Sequence, residues 1–216
     1  MQAPDTDFPH PSAPLLDARG LVGERGGLLL WGPLDVAVHS GSALHITGPN
    51  GCGKTTLLRT LAGLRAPAAA ASLRLCADVW WVGHASALAE ELDAVLNLRL
   101  LLGVAAAGHV DAAALAAHLR AQGVPPGRPV RLLSAGQRRK LALSPLALVP
   151  RRLWLLDEPF DALDAAACAA LAALAARHVA GGGAVVLTSH QPLPAGFPLH
   201  EVLALSPVQG CSTVSA

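Results

Sequence analysis

Eight consecutive residues limit what this chain can fold into more than any other feature. Gly48-Pro49-Asn50-Gly51-Cys52-Gly53-Lys54-Thr55 has the spacing GxxxxGK[ST] and stands between an apolar run, Ala43–Thr47, and a helical pattern with Leu57, Leu58, Leu61 and Leu64 on one face. A strand, a glycine loop and a helix in that order form a phosphate cradle. Glycines let successive backbone N–H groups turn inward, and the helix start adds the positive end of its dipole. Gly48, Pro49, Asn50, Gly51, Cys52 and Gly53 are then the expected loop, and Thr56 follows in the first helical turn. Lys54 is expected to bridge β- and γ-phosphates as a point charge, and the Thr55 hydroxyl to ligate Mg²⁺. ATP and Mg²⁺ are the ligands this pattern calls for.

Composition closes off other classes. With 216 residues the chain has room for one globular unit. Apolar residues make up 52%, yet much of that is alanine, and Tyr 0, Phe 3 and Trp 4 leave the core to Leu and Val. Sixteen Lys+Arg against fifteen Asp+Glu give a formal charge of +1, without the basic footprint of phosphate-backbone binding, so nucleic acid is not an expected partner. Mean hydropathy is +0.44, but a membrane span needs about 18 apolar residues in a row. The runs from Leu100 to Gly108 and from Ala165 to Ala176 are shorter, closed by Arg99 and His109 and by Asp164 and Arg177. Residues 1–14, with Pro4, Pro9, Pro11 and Pro14, lack a basic start and an apolar centre and read as a flexible tail, not a signal segment. Cys52, Cys76, Cys168 and Cys211 show neither a CxxC pair nor metal-ligand spacing, which fits a reducing compartment. Fourteen arginines against two lysines single out Lys54 and Lys140.

Hydrophobic patterning predicts β segments at Leu15–Val22, Leu28–Trp31, Leu34–His39 and Ala43–Thr47, a helix after Gly53, and strands at Leu73–Cys76 and Val79–Val82. A helical, alanine-rich stretch follows from about Leu88 to Leu148, broken at Gly123 to Gly127. Strands return at Leu153–Leu156, Ala184–Thr188 and near Val202–Leu205, with a helix from about Ala165 to Val179. The order predicts an α/β P-loop core of RecA-like type, with an N-terminal antiparallel β segment and an inserted helical subdomain. The expected division is residues 15–85 and 146–216 for the nucleotide-binding core and 86–145 for the helical insertion.

Leu153-Trp154-Leu155-Leu156-Asp157-Glu158 is a buried-strand run ending in two carboxylates, at the end of a parallel strand where ligands sit. Asp157 can hold Mg²⁺ and Glu158 can polarise a water as general base. Leu133-Ser134-Ala135-Gly136-Gln137 then narrows the class, because LSAGQ is close to the LSGGQ signature of ATP-binding-cassette ATPases and precedes the Asp157-Glu158 strand by about twenty residues. Phe160-Asp161-Ala162-Leu163-Asp164 resembles their D-loop, and Thr188-Ser189-His190 their switch histidine. The resemblance covers roughly Leu15 to Leu205 and implies an ATPase in which two copies stack head to tail. In that arrangement Ser134 and the Gly136 N–H of one copy reach the γ-phosphate held by the other. His190 contacts the γ-phosphate and positions the water, and Asp164 bridges the two copies. Ser134 is also an N-cap residue, and capping and phosphate binding share one helix end.

Four positions depart from the pattern. His84, after Trp80-Trp81-Val82-Gly83, occupies the position where relatives carry a glutamine that senses Mg²⁺. An imidazole nitrogen can replace the amide oxygen there, and because histidine ordinarily titrates near pH 6.5, coupling is expected to fall at acid pH. Arg25 stands where relatives place an aromatic on adenine, and its planar guanidinium can cover the base with little selectivity. Ala135 replaces the first signature glycine. Leu143-Ser144-Pro145 stands in the helix after the signature, where Pro145 is expected to introduce a kink. Gly83-His84, Leu92 to Leu98, LSAGQRRKLAL and His190-Gln191-Pro192-Leu193 closely resemble the ATP-binding export subunit of the cytochrome c maturation system, with a departure at Ala85-Ser86-Ala87. That resemblance implies haem export or release of a haem-loaded chaperone, driven from the cytoplasmic face of the inner membrane. A second copy, an integral membrane permease and haem-handling proteins are the implied partners. No CxxCH attachment pattern is present, and direct haem binding is not expected. The cassette of another small exporter and an ATP-sensing docking module are the alternative readings.

Overall fold

A computed structural model describes residues 13–85, 87–104 and 111–206. Most of the expected tail, Ser86, the end of the run from Leu100 to Gly108, and Cys211 lie outside them. Strands β1 (Leu16–Arg25) and β2 (Leu28–Val38) form an antiparallel ribbon turned by Gly26 and Gly27, both at positive φ. Strand β4 (Ser72–Leu75) adds to β1, giving the order β2-β1-β4. The two separate segments expected at Leu28–Trp31 and Leu34–His39 are one strand. At Gly32 the chain has φ +130°, and an added Cβ would lie 2.7 Å from the Leu21 carbonyl oxygen. Only glycine lets β2 shift register there without ending.

The second sheet has five strands, all parallel, in the order β5 (Val79–Val82), β6 (Leu153–Leu156), β7 (Ala184–Thr188), β3 (Ala43–Thr47), β8 (Glu201–Ala204). Strands β6 and β7 are buried along their whole length because both faces are covered. Leu153 and Leu155 pack with Leu57, Leu58 and Leu61 of helix α1 (Lys54–Leu61) on one face. Trp154 and Leu156 pack on the other, in a core shared with α2 (Ala94–Val104), α3 (Ala112–Ala121), α4 (Ala135–Leu143), α5 (Pro145–Leu148) and α6 (Ala165–Ala180). Helix α1 stops before Gly63, at φ +70°, so Leu64 leaves the apolar face expected for it and is 54% exposed.

Helices α2 to α5 lie between β5 and β6. At Pro145 the expected kink is a full break: Ser144, buried, closes α4, and Pro145 opens α5 at a first-turn position, where a missing N–H has no partner to lose. Among the described residues no helix is long and apolar enough to cross a membrane. Because all five strands of the sheet run one way, the segments after β3, β5, β6 and β7 emerge at the same edge, the position at which open α/β sheets bind ligands.

Candidate nucleotide site

The loop after β3 follows from its glycines. Gly48, Gly51 and Gly53 have φ of +142°, +80° and +97°, conformations that L side chains rarely adopt. Gly53 is the N-cap of α1 with no side chain capping it, so the amides of the first turn are left to an external acceptor. Lys54 is buried and its Nζ donates to the carbonyls of Gly48 (2.8 Å) and Pro49 (3.2 Å), which folds the ammonium back over the loop. Asn50, Gly51, Gly53, Lys54, Thr55 and Thr56 line one side of a cavity of about 360 Å³. Arg25, Leu30, His84, Glu158, Asp161 and His190 complete it. Cys52 lies in the loop, but its side chain is buried in the core below, with Sγ close to Gly48.

The carboxylate side is a continuous chain of hydrogen bonds. Thr55 Oγ1 donates to the Asp157 carboxylate, 2.9 Å from Oδ2 and 3.1 Å from Oδ1. Thr188 Oγ1 donates to Asp157 Oδ1 (2.8 Å) and accepts the Glu158 N–H (3.0 Å). Glu158, a non-glycine residue at φ +49°, turns its carboxylate to His190, whose N–H donates to Oε2 (2.9 Å) and whose Nε2 lies 3.2 Å from Oε1. A strained backbone of this kind costs of order 1–3 kcal/mol and persists only where neighbours hold it. The donor set suits a divalent cation with a polyphosphate: a buried carboxylate and a hydroxyl in mutual contact beside a lysine and uncapped amides. His84 Nδ1 lies 3.6 Å from Asp161 Oδ2, at the mouth of the same cavity.

Three expected site residues outside the glycine loop and the carboxylate chain do not line this cavity. Ser134 caps α4 in a reciprocal capping box, its Oγ accepting the Gln137 N–H (3.2 Å) while Gln137 Oε1 accepts the Ser134 N–H (3.0 Å). Asp164 caps α6 through the Ala167 N–H (2.7 Å) and pairs with Lys140 (2.9 Å), whose hydrogen bond holds its carboxyl below the usual range. Gly136 is required within its own chain, because a Cβ there would lie 2.8 Å from the Ala162 carbonyl oxygen. Trp80 and Trp81 face opposite sides of β5, one in each core, and neither lines the cavity.

Several contributors escape sequence reasoning. Trp31, 2% exposed, is wedged beneath the loop and donates from Nε1 to the Gly53 carbonyl (3.2 Å). It fits only because Gly23, its partner across the ribbon, has no side chain: a Cβ there would meet the ring at 2.3 Å. The paired glycine is a signal visible only once the strand register is known. Thr188 and Arg139 act through contacts distant in sequence. The Arg139 guanidinium is buried, which lowers its pKa against the opposing fields of Asp161, Asp157 and Glu158.

Comparison with known proteins agrees with this geometry. The ABC transporter family model matches residues 32–161. A cytochrome c biogenesis ATP-binding export protein CcmA from Pseudomonas syringae pv. syringae is 40% identical over 203 residues, covering 87% of this chain and 94% of its own length. The CcmA of Gluconobacter oxydans is 39% identical over 209 residues, covering 94% and 96%. Among solved structures, a putative ABC transporter ATP-binding protein from Pyrococcus furiosus superposes with a TM-score of 0.71 at 20% identity, covering 88% of this chain and 96% of that one, a likeness of fold.

Proposed function

This chain belongs to the CcmA family of ABC transporter ATP-binding proteins, and we propose that two copies enclose ATP head to tail and hydrolyse it to drive haem export, or release of a haem-loaded chaperone, in cytochrome c maturation. The observation that carries the reading is the bonded chain Thr55–Asp157–Thr188–Glu158–His190, of which Thr55, Glu158 and His190 line a cavity bordered by an uncapped glycine loop. Lys54 turns from the Gly48 and Pro49 carbonyls to the phosphates, and the free amides of α1 take the β-phosphate oxygens. Gly48 and Cys52 shape this loop, and Asn50, Gly51, Gly53 and Thr56 border the phosphates. Arg25, with Leu30, covers the base.

Thr55 and Asp157 hold Mg²⁺, with His84 at the rim. When bound, the ion offsets charge on the β- and γ-phosphates and so lowers the barrier to displacement. Glu158 Oε accepts a proton from the attacking water, and His190 keeps that carboxylate aimed while contacting the γ-phosphate. Ser134, Gly136 and Asp164 act on the partner copy's nucleotide, which fits their separation from the cavity of their own chain. The chain then works as a peripheral subunit on the cytoplasmic face of the inner membrane, with a permease supplying the span.

The test is ATP hydrolysis by the complex purified with its membrane partners. Glu158→Gln is expected to bind ATP with near wild-type affinity while losing turnover, and a CcmB-like permease is expected to co-purify. Equal hydrolysis by wild type and variant would remove the assignment of Glu158. Recovery with a permease of another transport system would remove haem export.

A further inference from the structure

We propose that Arg139 is a positioning residue for ATP hydrolysis, its buried guanidinium fastening the carbonyls around Glu158 and beside His84 to the signature helix α4. The inference rests on the role proposed above for Glu158. Arg139 is 5% exposed and, among the described residues, forms no ion pair with a carboxylate within 4.0 Å. Burying an arginine with no carboxylate in direct contact is costly even within the fields of Asp157, Glu158 and Asp161, and an apolar or amide side chain would fill the space with less desolvation. What arginine adds is a rigid fork of donors. Nε reaches the Pro159 carbonyl (3.2 Å) and Nη1 the Gly83 carbonyl (2.8 Å). Nη2 reaches those of Asp157 (2.8 Å) and Glu158 (2.7 Å).

Three of these acceptors are consecutive, so the guanidinium fixes the peptide planes on both sides of Glu158. That is the residue held at φ +49°, with its N–H taken on the opposite side by Thr188. Backbone orientation at that position decides where the carboxylate points. The fourth acceptor precedes His84, which lines the cavity from β5. Arg139 also stands five residues after Ser134, about 7.5 Å along one rigid helix. Any movement of α4 as Ser134 engages a partner's nucleotide is therefore carried to the backbone around Glu158 through three charge-assisted hydrogen bonds, and to Gly83 through a fourth, with no flexible segment between. A residue that only fills the core does not require these four acceptors to meet one fork.

The experiment compares wild type, Arg139→Lys, Arg139→Ala and Glu158→Gln in the assembled membrane complex, reading kcat and KM for Mg-ATP, ATP affinity by equilibrium dialysis, and thermal unfolding. Lysine keeps the charge but cannot hold four carbonyls at once. Arg139→Lys is expected to lower kcat about 10- to 100-fold with KM and ATP affinity within about threefold of wild type, as a misaligned base does. Methylguanidinium at tens of millimolar is expected to restore several-fold activity to Arg139→Ala, where methylammonium does not. Wild-type kcat in Arg139→Lys would overturn the inference, as would parallel loss of kcat, ATP affinity and melting temperature in that variant. Should Arg139→Ala fail to fold, Arg139→Lys decides alone. Equal turnover by wild type and Glu158→Gln would instead bring down the role of Glu158, and this inference with it.

Discussion

The two ends of the proposed nucleotide-binding machinery are built in opposite ways. At the glycine loop, the first turn of α1 has no side-chain cap, Lys54 rests on its own loop's carbonyls, and Thr55 rests on Asp157, so a ligand can take over every one of these contacts. At the signature end, α4 is closed by a complete capping box, and Gly136 is packed against Ala162 of the same chain. One helix start is left open and the other finished. The first is a site that this chain forms by itself. The second is a stable surface whose use for nucleotide has to come from outside the chain, and that is how a partner's ATP enters the proposal.

The largest effect expected is at the open end. Glu158→Gln should lower turnover by about 10³-fold, within the range for losing a general base, while ATP still binds, as rapid-quench hydrolysis and dialysis would read. The signature end is probed by Ser134→Asp. Aspartate is as good an N-cap as serine, so the melting temperature should stay within about 2 °C, but a carboxylate facing a γ-phosphate should lower hydrolysis about 10²-fold. If Ser134→Asp leaves hydrolysis intact, the finished helix start is only a cap and the contrast between the two ends loses its functional meaning.

A smaller change tests the support of the open loop. Trp31→Phe keeps most of the packing but loses the bond to the Gly53 carbonyl, and about 1 kcal/mol of stability is expected to go with it in urea unfolding, with ATP affinity falling more than the melting temperature suggests. The smallest effect lies at neither end. His178 stacks on Trp154 with ring centroids 3.9 Å apart and planes within 6°, and burial lowers its pKa in the folded state. The unfolded chain therefore binds that proton first, so this contribution to stability is intact above about pH 6.5 and is lost as pH falls below it. His45 and His118 are shifted the same way. His178→Phe should flatten the acid limb of the stability–pH curve without altering ATP turnover at neutral pH, and a change in turnover would show that the core beneath the sheet is not separable from the site.

Much of the core was legible from residue order. Strands β3, β5, β6 and β7 occupy the spans that their apolar runs delimit, most firmly β6 and β7, which are buried on both faces and so have to be almost wholly apolar. The same logic put the glycine loop and the two carboxylates at the ends of β3 and β6, where the structure has them. What could not be read depends on partners far away in sequence: the Gly23 and Trp31 pair, the Thr188 hydroxyl shared between Asp157 and Glu158, and the Arg139 fork on two segments. Local exceptions hid the rest, as at Gly32, where β2 continues, and at Pro145, where a helix ends outright.

The head-to-tail proposal is tested most directly by complementation. Lys54→Ala disables the open end and Ser134→Asp the finished one, and neither variant alone should hydrolyse ATP at more than about 1% of the wild-type rate. If each site is shared between two copies, random pairing in an equal mixture restores one intact composite site in half of the dimers, and about a quarter of wild-type activity is expected to return. A mixture no more active than its two components would contradict it.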